Sequence, residues 1–530
     1  MASKEPRNVF PGRIVLTAGG AAEPFDGMWD ARELTAQRPS RPSLVRNMSI
    51  VPGGGGRAYA GRPGFTAMGS AFSANVQAIR TWYRPSAVSL TVGVAGGELY
   101  RYTSGAWVKV VTTAQLAGAA IALSSAARIG MCPFGAGLVF WDGVNEAFSW
   151  TGADGGGLTK LTAACIPLWC WVKSAKLVMI NVANRLEIQW SEENQVNLGY
   201  ATGGYSNAWQ LSQITNAPLT AGVGTNEAMI MFRERSCFSI TGEIGPDFAT
   251  ASTRNDLADD IGTNAPWSVR VVQDGVVFVD AAARPQIAVV GGGVRPLWQG
   301  CVETTSPTLV PRNVVSRAWT DEDRASGKLL MALPSSVSTQ LTTLLVYDIN
   351  TMVFEGVWDG FPCDTIGSVV TDTQDPRFVH SDGVNAYQHG APVVGPWNDV
   401  FRASEAAVAH ELTTAVLGRD LTSELFVDTV EVGLMASEVT SITVTGKTTR
   451  GNLPSLVVPV ASSGGARIGS FIIGTDRLAG VSIDRRAMVG QDGLGRGVSV
   501  TVRHQQLGEP CAITEVRVIG YLDGADPDVL

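Results

Sequence analysis

The sequence predicts an all-β protein: a β-propeller domain with an added β-sandwich-like module and an extended N-terminal strap. Three observations carry this reading. Short runs rich in Val, Ile, Leu and aromatics recur between Gly, Asp, Asn and Pro, among them "LVFW" (138–141), "AMIMF" (228–232), "GVVFVD" (275–280) and "KLLMALP" (328–334). Runs of that length between turn residues read as strands. Glycine is abundant, at 60 of 530 residues, and dispersed rather than periodic, as many tight turns require. A hairpin-like stretch also recurs: "FWDGVNEAFSW" (140–150) and "HSDGVNAYQHG" (380–390) share Asp-Gly-Val-Asn followed by Ala and an aromatic.

In chain order, residues 1–70 are rich in Pro and Gly ("SIVPGGGGRAYAGRPG", 49–64) and read as an extended strap that contributes to the platform. Residues 71–405 read as the propeller. Its early hairpin is "GGELYRYTSGAWVKV" (96–110), in which Leu99, Tyr100, Tyr102 and Trp107 are expected to fill space between sheets. Asp142-Gly143 and Asp382-Gly383 are expected to be equivalent turns whose glycines supply a positive φ. Their separation of 240 residues spans five or six periods of ~40–50 residues, typical of propeller blades. Weaker relatives of the hairpin fall between them, and "RLEIQW" (185–190) contributes Trp190 to the same strand series. Helical pattern is confined to 113–127 and 403–411. Residues 406–530 change texture to alternating segments such as "LFVDTVEVGLM" (425–435), "SITVTGK" (441–447) and "VSVTVRH" (498–504), and read as a separate sandwich-like platform. Three Trp-Asp pairs (29–30, 141–142, 358–359) lack the Gly-His partners and even spacing of WD40 repeats.

Composition narrows the function. A net charge of −8 is wrong for a protein that coats DNA. Only seven of the 40 basic residues are Lys; codon bias in a GC-rich genome is one reading of the arginine excess, and planar, bidentate contacts at subunit interfaces the other. Seven scattered Cys form no C-x-x-C pair and have four His for company, so reduced, mostly buried thiols are expected, with no disulfide framework and no zinc site. The start "MASKEPRN" has no apolar signal-peptide core and no apolar stretch reaches a membrane span, so a soluble protein without membrane contact is expected. No P-loop, nucleophile elbow or His-Glu-x-x-His is found, and "DGLGRG" (492–497) leads into a β segment where a phosphate-binding helix should begin. Asp256, Asp259 and Asp260, and Glu192 with Glu193, are clustered acids; solvated loop charge is the default for such groups, against a glycosidase acid/base pair. No catalytic, cofactor-binding or metal-binding residue is assigned, and no cofactor is expected.

Several segments resemble, in order, those of one family. "SLVRNMSIVPGGGGRAYAGRPGF" (43–65) resembles an Asn-centred strand followed by Arg-Pro-Gly, and "GGELYRY" (96–102) a Gly-x-Leu-Tyr-x-Tyr blade. "RLEIQWS" (185–191) is similar to a Trp-Ser strand, and "AMIMFRERSCFSITGEIGPDF" with "IGTNAPWSVRVVQDGVVFVD" (228–280) is the strongest match. "LLVYDINTMVFEGVW" (344–358) and "GLGRGVSVTVRH" (493–504) fit later segments. The family is the tail nozzle, or tail-tube stabilisation (tubular), proteins of short-tailed bacteriophages. The chain departs from it at Gly262-Thr263-Asn264 and in the long polar segment 191–210. The resemblance implies a non-enzymatic structural virion protein, assembled in host cytoplasm into a homohexameric ring below a dodecameric head-to-tail adaptor. That ring would extend the DNA ejection channel, contact tail fibres or spikes, and pass double-stranded DNA without binding it tightly. Channel-lining residues are not assigned. The alternatives are a carbohydrate-binding or hydrolysing propeller in a phage tail, which needs carboxylates and aromatics gathered at one end of the propeller axis, and a soluble scaffold propeller unrelated to phage.

Overall fold

The apolar runs form antiparallel four-stranded sheets in a propeller-like arrangement in the computed structural model. The structure describes residues 13–19, 42–53, 56–84, 87–161, 166–195, 208–211, 217–244, 252–297, 314–334, 340–371, 375–390, 398–401, 404–417, 424–434, 441–459, 485–495, 497–506, 509 and 511–523. Among them, seven sheets surround one axis, each starting at its innermost strand. Blade 1 runs through Val76–Trp82, Leu90–Ala95, Glu98–Thr103 and Ala106–Val111. The innermost strands of blades 2 to 7 are Gly130–Phe134, Pro167–Lys173, Leu219–Gly224, Arg270–Val272, Trp319–Asp323 and Thr365–Val370.

The ring is closed by the chain's own start. Blade 7 takes three strands from Thr365–Val370, Pro376–Asp382 and Asn385–His389, and its fourth is Phe65–Ala67. Blade 7 is then locked to blade 1: the Val370 amide donates to Thr81 Oγ1 (2.7 Å), and Thr91 Oγ1 donates to the Val370 carbonyl (2.7 Å). Closure by a distant strand makes the propeller depend on a pairing that spans nearly the whole domain.

The described part of residues 1–70 forms paired strands rather than a free strap, and most of it joins the platform. Met48–Gly53 and Gly56–Gly61 form a hairpin in a sheet with Ala512–Asp523, Glu424–Leu434 and Arg485–Gly495, while Arg13–Gly19 also pairs with Ala512–Asp523. Leu44–Arg46 continues the sheet of blade 6 outward from Phe354–Cys363, followed by His410–Thr413, Val498–His504 and Ser441–Thr448. Every second residue of Val498–His504 and Ser441–Thr448 is buried, as in one half of a sandwich. Val430, Val432, Val444, Val500, Val516 and Val518 of this platform share one apolar core with Val277 and Ile287 of blade 5 and Leu329 and Met331 of blade 6. Platform and propeller are thus continuous in sheet and core. The helix expected over 113–127 is one short helix, Thr113–Gly118, closed by a capping box between Thr112 and Gln115. Where a helix was expected over 403–411, Ser404–Ala407 and His410–Thr413 are strands, held by pairing with Asn398–Phe401 and Val498–His504. Tertiary pairing there overrides local propensity.

The early hairpin forms the two outer strands of blade 1, turning at Ser104 (φ 52°) and Gly105 (φ 77°), both in the left-handed region that two-residue hairpins favour. Leu99, Tyr100 and Trp107 are buried. Tyr100 and Trp107 hold Phe72 with centroids 4.9 and 4.7 Å away, Tyr102 packs on Trp107 at 5.2 Å, and the Trp107 indole donates to the Met68 carbonyl (2.7 Å). These aromatics thus fix the segment that follows the closing strand against the seam between blades 1 and 7. Trp107→Ala is expected to cost about 3 kcal/mol, read as a lowered urea midpoint at unchanged slope.

Candidate functional site

Each expected site residue has a definite place. Asp142-Gly143 and Asp382-Gly383 both connect the second and third strands of their blades, with Gly143 at φ 72° and Gly383 at φ 59°. Their carboxylates act differently. Asp142 accepts from the amides of Val144 (2.8 Å), Asn145 (2.7 Å) and Ser124 (2.7 Å), tying the turn to the linker between blades 1 and 2. In blade 7 the Gly383 amide instead donates to Asp364 (2.9 Å). Trp190 lies in the core between blades 3 and 4. The departure at 262–264 forms an inter-blade tie: the buried Thr263 donates through Oγ1 to Val279 (2.6 Å), and its carbonyl accepts from Thr220 Oγ1 (2.6 Å). Residues 196–207 of the polar segment lie outside the described residues.

The most concentrated chemistry lies at the joint between platform and propeller. Arg62, 1% exposed, makes a two-pronged ion pair with Asp399, Nη1 to Oδ1 at 2.8 Å and Nη2 to Oδ2 at 2.6 Å. Its Nε donates to Asn47 Oδ1 (3.1 Å), and its guanidinium lies 4.8 Å from the Phe361 ring centroid. Asn47 has φ 53° and completes a closed set: its Nδ2 donates to Asp359 Oδ1 (3.0 Å) and the Ala409 carbonyl (2.9 Å), while Oδ1 accepts the Asp359 amide (2.8 Å). Gly61 is required beside them, because a Cβ there would collide with the His410 ring. A second latch lies alongside: Lys328 of blade 6 pairs with Glu355 (2.6 Å) and donates to the Ile50 carbonyl (3.1 Å), and the Ile50 amide donates to Glu355 (3.1 Å). Burial pushes the Glu355 carboxyl up and Lys328 opposes this.

All four histidines of the sequence collect at this joint, in two buried pairs. His380 Nδ1 and His389 Nε2 are 2.9 Å apart, and His410 and His504 are stacked with centroids at 5.7 Å. Burial pushes His380 and His410 down to about 3, with Arg62 opposing protonation of both and His504 also acting on His410. His389 is lowered by burial and then by His380 and Arg62, whereas Glu509 opposes the lowering of His504 by burial.

A cavity of about 400 Å³ lies on the propeller axis, lined by the inner strands of blades 1 to 6. Trp141, Trp169, Trp267 and Trp319 form a chain of ring contacts beside it, with successive centroids 5.8, 5.0 and 5.0 Å apart. Arg270 pairs there with Asp321 (3.1 Å) and Glu322 (3.3 Å), and Arg80 donates to the Met131 carbonyl (2.9 Å). The sequence signal for Arg80 is a charged residue inside the apolar run 76–82.

The clustered acids do not assemble an aromatic-lined cleft. Asp259 and Asp260 are exposed and line a pocket of about 650 Å³ with Glu234 and Asp280, and no aromatic lines it. Asp280 is occupied by the amides of Ala282 and Arg284 (both 2.8 Å) and by Gln286 Nε2 (3.0 Å). Asp256 pairs with Arg254 (2.5 Å), and Glu192 and Glu193 are exposed in the turn after the third strand of blade 3. Among the described residues no group of three His, Cys, Asp or Glu is placed to hold a metal ion, and no helix is long and apolar enough to cross a membrane. Cys132, Cys170, Cys237, Cys363 and Cys511 are free thiols; Cys165 and Cys301 lie outside the described residues.

No protein-family model matches the chain, and no curated protein matches it. Among solved structures, the WD40 β-propeller domain of Doa1 is similar at 10% identity and TM-score 0.39, covering 62% of this chain and 96% of that one. BBS1N in complex with ARL6DN is similar at 9% identity and TM-score 0.41, covering 62% and 98%. YCF48 bound to D1 peptide is similar at 11% identity and TM-score 0.38, covering 63% and 99%. These likenesses concern fold alone.

Proposed function

We propose that this chain is a tail nozzle subunit of a short-tailed phage: a structural virion protein whose copies form a ring, a hexamer, below the head-to-tail adaptor and extend the DNA ejection channel. One observation carries the reading. The Asn-centred strand and the Arg-Pro-Gly segment of the resemblance contribute Asn47 and Arg62 to a single buried network with Asp359 and Asp399. Two parts of one N-terminal motif thereby meet carboxylates more than 300 positions away and serve one purpose, fixing the platform to the propeller. A subunit continuous in sheet and core suits a ring that bears load during ejection, because nothing between its parts has to be held by a linker.

On this reading the conduit lies between subunits. A cavity of about 400 Å³ cannot pass a duplex. The net charge of −8 favours a lumen that repels the phosphate backbone, since repeated phosphate contacts would make binding tight and salt-dependent and would brake ejection. The arginine excess is expected at contacts between subunits and with the adaptor, tail fibres or spikes. Assembly in the host cytoplasm agrees with the free thiols. Mass measurement and negative-stain imaging of purified protein should give a six-fold ring with a central hole, and a DNA-binding assay at low salt should give weak binding. A stable monomer in the mature tail, or tight salt-sensitive DNA binding by the ring, would overturn the proposal.

A further inference from the structure

Two arginines from different blades face one pocket that holds a single carboxylate, Asp364. Arg128 lies two residues before the innermost strand of blade 2, and Arg317 two residues before that of blade 6. The innermost strands run in the same sense, so both residues stand at one mouth of the axis. The pocket they share is about 250 Å³ and is also lined by Asn75, Gln77, Asp364 and Thr365.

Arg128 is held in place by the protein. Its Nη1 donates to the Arg317 carbonyl (2.6 Å), its Nη2 to the Asp364 carbonyl (3.4 Å), and its guanidinium lies 5.0 Å from the Trp319 ring centroid. The loop bearing it is fixed by Gln77, whose Nε2 donates to Ser124 (2.7 Å) and Ala127 (2.5 Å) while its Oε1 accepts the Gly97 amide (2.8 Å). Burial first, and then the neighbouring Arg317, lower the Arg128 pKa to about 9, with Cys363 and Asp364 opposing the shift. Arg317 is less satisfied still: its Nε is buried without a hydrogen-bond partner. The one acid lining the pocket, Asp364, accepts the Gly383 amide through Oδ2 (2.9 Å). The pocket therefore carries two guanidinium groups against one carboxylate, and the surplus positive charge, partly desolvated, is costly unless a further anion joins it.

We propose that this pocket binds a phosphate-class dianion, held between the guanidinium groups of Arg128 and Arg317. Two planar forks on different blades present donors in more than one plane. A tetrahedral phosphate offers oxygens in more than one plane and meets both forks, whereas a carboxylate offers two oxygens in one plane. The site does not depend on the tail reading. Free phosphate and a phosphate monoester share the chemistry that the pocket recognises.

The full chain would be titrated with inorganic phosphate, with glycerol phosphate and with acetate, each at an ionic strength held constant with chloride, following the unfolding temperature and the binding heat. Inorganic phosphate should raise the unfolding temperature saturably. A response to glycerol phosphate of equal size would assign the site to monoesters, and a smaller one to free phosphate. Arg317→Gln should weaken phosphate at least about tenfold, the loss of one charge-assisted contact, while the phosphate-free protein unfolds no earlier because a repulsion has been removed. Arg317→Lys should recover part of the affinity. A phosphate response no larger than that of chloride, an equal response to acetate, or unchanged affinity in Arg317→Gln would overturn the proposal.

Discussion

Arg62→Met is expected to destabilise the protein by about 5 kcal/mol, the upper end of what breaking a buried ion pair costs. Asp399 is 4% exposed and takes both prongs of Arg62, so removing the cation leaves a carboxylate with little water to solvate it. Asn47 Oδ1 also loses its guanidinium donor, and Phe361 loses the planar group lying over its ring. The damage should concentrate where the platform meets blades 6 and 7. Chemical denaturation would give the size of the loss, and hydrogen exchange would show the amides of Phe65–Ala67 and Asn398–Phe401 opening first. Adding Asp399→Leu should recover much of the stability, because no buried charge is then left unpaired. A single Arg62→Met variant within 1 kcal/mol of the parent would mean that the pair contributes little to the joint.

Acidification from pH 7 to pH 4 is expected to cost about 3 kcal/mol from each of His380 and His410, and to loosen the same joint. Both have folded pKa values near 3, below the ordinary value of 6.5. Between those values the unfolded chain binds protons that the folded chain refuses. Stability is therefore full above pH 6.5 and falls as pH drops through the window, by about 1.4 kcal/mol per pH unit for each histidine. The charged groups around the pairs are Arg62, which opposes protonation, Asp399 bound to it, Asp359 beyond Asn47, and Glu509, which favours a charged His504. Asp323 and Glu355 in blade 6 are raised by burial and act in the opposite sense, stabilising the fold only below their raised values. Urea midpoints across this range should decline towards acid, and His380→Gln should flatten the decline. A flat profile from pH 7 to pH 4 would remove the histidines from any part in acid stability.

Sheet character was legible wherever one blade is local in sequence. The hairpin at 96–110 carries its own turn at Ser104-Gly105 and its own aromatic face, so short-range pattern was enough. The Asp-Gly turns at 142–143 and 382–383 were legible as a pair for the same reason. Their carboxylates were not, since Asp142 serves a linker and the Asp364 carboxylate takes over the turn amide in blade 7. The helix over 403–411 failed because strand pairing with residues about 90 positions away decided the conformation of His410–Thr413.

The sequence by itself determined that this is an all-β chain of short strands and many turns, because strand period and turn chemistry are written within a few residues. Tertiary structure alone decided which strands are neighbours. It brought Phe65–Ala67 into the last blade, paired Arg13–Gly19 with Ala512–Asp523 in the platform, and set Arg62 against Asp399, 337 positions away. It also gathered all four histidines at one joint and placed Arg128 beside Arg317. Local pattern fixes which face of a strand is apolar. Which partner covers that face is settled only when the whole core closes, because the free energy of burial belongs to both surfaces at once.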